Sequence, residues 1–128
     1  MANVYTLTNR RTGQVVAAEV VLASSFWRRL RGLIGHGPLR PGEGLWLKPC
    51  RQVHMLGMRF ALSVWFLDHT GTVCAIVDNL KPGQISPRLR EAASVLEFPA
   101  GWALHTGVRS GDKLTWFPNN RRGCPSSS

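Results

Sequence analysis

From Gly42 onward the chain never sustains an apolar run longer than a short strand. GEGLWLKP, QVHMLGM, ALSVWFLD and TVCAIVDN follow one another, each ended by Pro, Gly or Asp-containing turns. Runs broken this regularly by turn formers read as strands rather than helices. The pair VWFLD and TVCAI, joined by a three-residue loop that carries Gly71, is the clearest hairpin. A second comes earlier, where VYTLTN (4–9) and VVAAEVVL (15–22) alternate apolar and polar side chains around RRTGQ. Between these regions Phe26, Trp27, Leu30, Leu33 and Ile34 form one stripe of a short helix over 24–34. Ser24 or Ser25 can cap its start, and Gly35, Gly37 and Pro38 end it. Downstream, KPGQISPRLREAA is looser, with room for one helical turn. SVLEFPAG is strand-like with Glu97 inside it, WALHTGVRSGD holds a short helix between Gly101 and Gly107, and KLTWF forms a last strand. The expected fold is mainly β, bordering on α+β. It is a compact single-domain β-sandwich or barrel-like fold of seven or eight short strands with one or two short helices. The globular domain spans 1–118, and the polar, breaker-rich stretch 119–128 reads as a disordered tail.

A chain of 128 residues, 44% of them hydrophobic, has material for one core. Its formal net charge is +9, from 16 Lys plus Arg against 7 Asp plus Glu, and 13 of the cations are arginine. Arginine suits bidentate contact with phosphate or carboxylate, so an acidic partner must be weighed against a merely solvated basic surface. Three cysteines, Cys50, Cys74 and Cys124, show no CxxC spacing and fit a reducing compartment better than a disulfide scaffold. The opening residues MANVYTLTNRRTG lack a continuous apolar run, and no segment has the length of a membrane-spanning helix. The expectation is a cytoplasmic monomer with no membrane association.

The series LRGLIG (30–35), GEGLWL (42–47), VHMLGMRF (53–60), VWFLDHTGTV (64–73), ASVLEFPAG (93–101) and TGVRSGDKL (106–114) resembles the small bacterial and archaeal family numbered 192 among the domains of unknown function. The resemblance runs from Ala23 to Phe117. It implies a compact, mostly β domain with a few short helices, and it implies no activity. Many members carry a secretory or lipoprotein leader, which this chain lacks. Where the family commonly has Pro-Ile-Asp before the VVFLD strand, this chain has Ala61-Leu62-Ser63, so any role resting on that aspartate is in doubt here.

His54, Arg59 and Glu97 each fall in one of these blocks, within or beside an expected strand. Alternation puts His54, Leu56 and Met58 on one strand face, with Val53, Met55, Gly57 and Arg59 on the other. Such a cluster is either the polar part of a pocket for a small molecule or peptide, or a structural network that satisfies buried groups. A non-catalytic binding module around these three residues is the leading functional reading. One alternative is binding of nucleic acid or another polyanion through the basic helix face of Arg28, Arg29 and Arg31. Another is an enzyme with Cys50 as nucleophile beside His54. No cofactor fingerprint is present. Cys50 and His54 lack the second ligand pair that a metal site needs.

Overall fold

The structure, a computed structural model of the chain, describes residues 4–23 and 39–119. Seven strands lie in one sheet: β1 (Val4–Asn9), β2 (Val15–Ala23), β3 (Glu43–Leu47), β4 (Leu62–Leu67), β5 (Val73–Leu80), β6 (Ser94–Pro99) and β7 (Leu114–Pro118). A five-residue helix, α1 (Trp102–Thr106), falls between the last two. The order across the sheet is β5-β4-β6-β3-β2-β1-β7, and every pairing is antiparallel except β2 with β3. A parallel pair requires a crossover connection. Here it includes residues 24–38, so the helix expected over 24–34 lies outside the described residues.

The sheet curls into a half-barrel until its edges meet at one end. Thr72 bridges Lys113, Val73 N–H donates to the Asp112 carbonyl at 2.8 Å, and Leu114 N–H donates to the Gly71 carbonyl at 3.0 Å. Of the two architectures expected, the barrel-like one is realised. The run QVHMLGM is not a strand. Met55 N–H reaches the Gln84 carbonyl, and His54 makes one isolated bridge with Ile85. Gly57, at φ 79°, then turns the chain away before a ladder can form.

β4 explains why the sheet has two cores. All six residues of LSVWFL are buried, so its side chains fill both faces. Trp65 and Leu67 join Leu7, Leu96, Phe98 and Leu114 on one face. Leu62, Val64 and Phe66 join Leu47, Met55 and Val95 on the other. Ser63 is the one polar residue in the strand. It accepts a hydrogen bond from Trp65 Nε1 at 2.8 Å and donates to Asp78 Oδ1 at 2.5 Å. The same Asp78 carboxylate accepts the N–H groups of Ala103 (2.9 Å) and Leu104 (3.1 Å). These open the first turn of α1, whose N-cap, Gly101, has no side chain to offer. A carboxylate from β5 therefore caps the helix and docks it beside β5, with Ala103 and, after the helix, Val108 entering the first core. Ser63 is thus linked to a carboxylate supplied by β5.

A second polar knot ties β1 to the loop before β7. Asp112, 4% exposed, accepts from Arg11 Nε (2.7 Å), Arg11 Nη2 (3.1 Å), Asn9 Nδ2 (2.9 Å) and Arg109 N–H (3.0 Å). The Arg11 hydrogen bond, foremost, holds the Asp112 carboxyl down at about 2. A lowered carboxylate pKa contributes stability above the unfolded value of 3.8 and loses it as pH falls toward 2. Unfolding free energy should therefore drop by at most about 2 kcal/mol across that window, because the 38% exposure of Arg11 screens the pair. Asp112→Asn should flatten this part of the stability–pH profile, measured by urea unfolding; an unchanged slope would remove Asp112 as its source. Gly44 offers a second test. A Cβ there would stand 2.5 Å from Phe98 Cε1, so Gly44→Ala should cost about 1–3 kcal/mol by overpacking. A variant as stable as the parent would show that the Phe98 ring can move aside.

Candidate functional site

The three residues singled out by the sequence occupy different environments. His54 and Arg59 are exposed, whereas Glu97, in the middle of β6, is 1% exposed. The alternation read from the sequence does hold over 53–56, with the faces assigned by burial. Val53 and Met55 point into the second core while His54 and Leu56 face outward. Glu97 pairs across the sheet with Leu45 and Val64. Cys50 is half-buried, and its thiol donates to the Gln52 carbonyl at 3.3 Å. Cys74 is also half-buried, and burial, helped by the Glu91 and Asp68 carboxylates, pushes its thiol pKa up, away from thiolate chemistry. Arg28, Arg29 and Arg31 lie outside the described residues. Among the described residues no group of three His, Cys, Asp or Glu side chains is placed to hold a metal, and no helix is long and apolar enough to cross a membrane.

A different set of residues surrounds a pocket of about 510 Å³ at the end of the barrel where the sheet edges meet. One wall is aromatic. Trp46 of β3 and Trp116 of β7 lie with ring centroids 4.8 Å apart and planes inclined by 32°, and Tyr5 meets Trp46 edge-on at 5.6 Å. Both indoles back onto the first core. Gly71, at φ 87° in the β4–β5 loop, abuts Trp116. A Cβ there would come within 3.0 Å of the ring, so a larger residue would crowd this wall.

The rim is cationic. Arg10, Lys48 and Lys113 line it, with His69 from the loop. Lys48 Nζ sits 5.1 Å above the Trp46 ring, a cation–π contact worth about 0.5–1 kcal/mol at an exposed site. Asp68 brings a carboxylate to the lining, but Thr70 Oγ1 (2.6 Å), Thr70 N–H (2.8 Å) and Thr72 N–H (3.0 Å) all donate to its Oδ1. The Thr70 hydroxyl bond above all holds its pKa below the ordinary range, so the carboxylate keeps its negative charge in the lining while its Oδ1 shapes the loop. The indole Nε1 atoms of Trp46 and Trp116 are buried and find no hydrogen-bond partner among the described residues. An unmet buried donor costs about 1–3 kcal/mol.

One local signal of this pocket lies in the sequence: Trp46 and Lys48 are two residues apart at the end of β3, the spacing of one strand face. Arg10, Lys113 and Trp116 carry no such signal, since only the closure of the sheet brings them to β3.

Two crystal structures share this fold. One, from Sinorhizobium meliloti 1021 and described as a "putative transcription regulator", superposes with a TM-score of 0.73 at 26% identity, over 91% of this chain and 94% of that one. The other, a protein of unknown function from Novosphingobium aromaticivorans DSM 12444, gives a TM-score of 0.71 at 24% identity, over 90% of this chain and 85% of its own. Among curated proteins none matches. The family model described as an uncharacterized ACR, domain-of-unknown-function family 192, matches residues 7–116. That span reaches back through the N-terminal hairpin, which the block-by-block resemblance from Ala23 had left out. With most of its length matched, the chain belongs to domain-of-unknown-function family 192.

Proposed function

We propose that this domain is a non-catalytic binding module whose ligand is a small anionic molecule held in the pocket of Trp46, Trp116, Arg10, Lys48 and Lys113. The supporting observation is the convergence of three cations on an aromatic wall in a concave space of about 510 Å³. That size, with a largely apolar lining and a few placed polar groups, is the usual make-up of a small-ligand site. The geometry favours this pocket over the cluster of His54, Arg59 and Glu97, because two of those residues face solvent while the third is sealed in the sheet.

A second reading, nucleic-acid or other polyanion binding, is favoured by the description of the S. meliloti neighbour together with the net charge of +9. The two readings differ in their salt dependence and in where the ligand acts. Polymer binding releases many counterions and falls steeply between about 50 and 200 mM salt. A small anion in one pocket depends on salt only mildly.

Titration with inorganic phosphate, followed by amide chemical shifts, should move Lys48, Gly71 and Lys113. Lys48→Met combined with Lys113→Met should weaken that binding by about tenfold or more, given roughly 1.5–3 kcal/mol for a charged hydrogen bond. Shifts centred on His54, Arg59 and Glu97 would return the site to that cluster. Titration with a short mixed-sequence nucleic acid covers the polymer reading: tight binding with a steep salt slope, and no response to phosphate, would replace the small-anion reading by it.

A further inference from the structure

The anionic-ligand reading leaves open what the aromatic wall is for, and the placement of Lys48 supplies an answer. Of the ring faces on that wall, Trp116 is flanked by Trp46 on one side and approached by Gly71. Trp46 has Trp116 beside it and Tyr5 perpendicular to it, and a seat over its ring is taken by the Lys48 ammonium at 5.1 Å. Lys48 is exposed on a flexible stem, so it can leave that seat at little cost. An incoming anion would draw the ammonium toward itself and uncover the indole at the same moment.

Resting on the binding-module reading, we infer that the pocket takes a nucleoside monophosphate, whose base stacks on Trp46 in the place Lys48 holds in the free protein and whose phosphate is met by Lys48, Arg10 and Lys113. Three cations less the Asp68 carboxylate leave two positive charges in the lining, more than one carboxylate ligand calls for. A phosphomonoester, carrying 1.5 to 2 negative charges near neutral pH, answers them better. Arg10 adds a planar fork suited to phosphate oxygens. Base-on-indole stacking tolerates any base, because every base has a π-face. A pocket of about 510 Å³ suits a mononucleotide better than a strand.

Calorimetric titration of the full chain with adenosine monophosphate, ribose 5-phosphate, adenosine and inorganic phosphate separates the parts of this inference. Adenosine monophosphate should bind at least about tenfold more tightly than ribose 5-phosphate, the difference being the stacked base. Equal affinities would overturn the stacking inference and leave the anion reading standing. No binding by any of the four would remove both. Trp46→Leu should erase the advantage of the base while phosphate still binds; retention of the advantage would refute the seat on Trp46. Lys48→Ala gives a test that does not disturb the core. It should weaken ribose 5-phosphate by about tenfold yet leave adenosine as tight or tighter, because the seat is vacated. A parallel loss of adenosine binding would show that Lys48 is no placeholder.

Discussion

Burial of β4 and β6 on both faces is the constraint from which the rest of the architecture follows. A strand whose every side chain is enclosed needs a layer of apolar groups above and below it. In the described residues the one regular helix is five residues long, so the sheet is not covered by helical layers there. The sheet meets the demand by bending round on itself, so that β1, β2 and β7 cover one face of their own neighbours. The other face is covered by Leu39 and the irregular run from Val53 to Met55 together with Ala92. That run has to be irregular, since it lies on the sheet rather than in it. Its backbone donors are then satisfied singly, as with Val53 N–H on Ser86 Oγ at 2.8 Å and Met55 N–H on the Gln84 carbonyl at 2.7 Å.

The pocket is a by-product of the same bending. Where the two sheet edges converge, the ends of β3 and β7 and the β4–β5 loop come together, and residues far apart in sequence are brought round one space. At this barrel end wide side chains fill the space among the described residues, and tryptophan provides area at low entropic cost. Its N–H must then be accommodated too. The two indoles on this wall leave theirs unmet among the described residues. Paired polar groups elsewhere, such as Asp112 with Arg11 and Asn9, or Asp78 with Ser63 and α1, show that the fold satisfies buried donors where only structure is at stake.

Much of this was legible in the sequence, for physical reasons that differ by element. The β4–β5 hairpin announces itself because its loop chemistry is local: Asp68, Thr70 and Gly71 make the turn from within five residues. The helix from Trp102 to Thr106 is equally local, bounded by Gly101 and Gly107 in left-handed conformations. QVHMLGM misled because a period-two pattern needs only one buried face, and a bound loop lying on a core shows that pattern as well as a strand does. The parity of His54 was readable, but its direction was not. Which face looks inward is decided by β4 and β5, not by residues 51–59. Ser63 stood out as a departure from its family, yet its meaning depends on Asp78, a residue whose proximity comes only from the ladder between β4 and β5. The pocket was least legible of all, because Arg10, Trp46 and Lys113 are assembled by closure and by nothing nearer.

β7 sits beside β1, with Tyr5 opposite Pro118 and Asn9 opposite Leu114, and Asn119 N–H reaches back to the Val4 carbonyl at 2.8 Å. During synthesis the free edge of β1 must therefore wait, unpaired, until β7 has left the ribosome. Pairing strands this far apart in sequence makes closure of the sheet a late, non-local step of folding. Asn9 and Arg11, which grip Asp112 in the folded protein, stand at the end of that edge, so the polar knot closes only when the loop before β7 arrives.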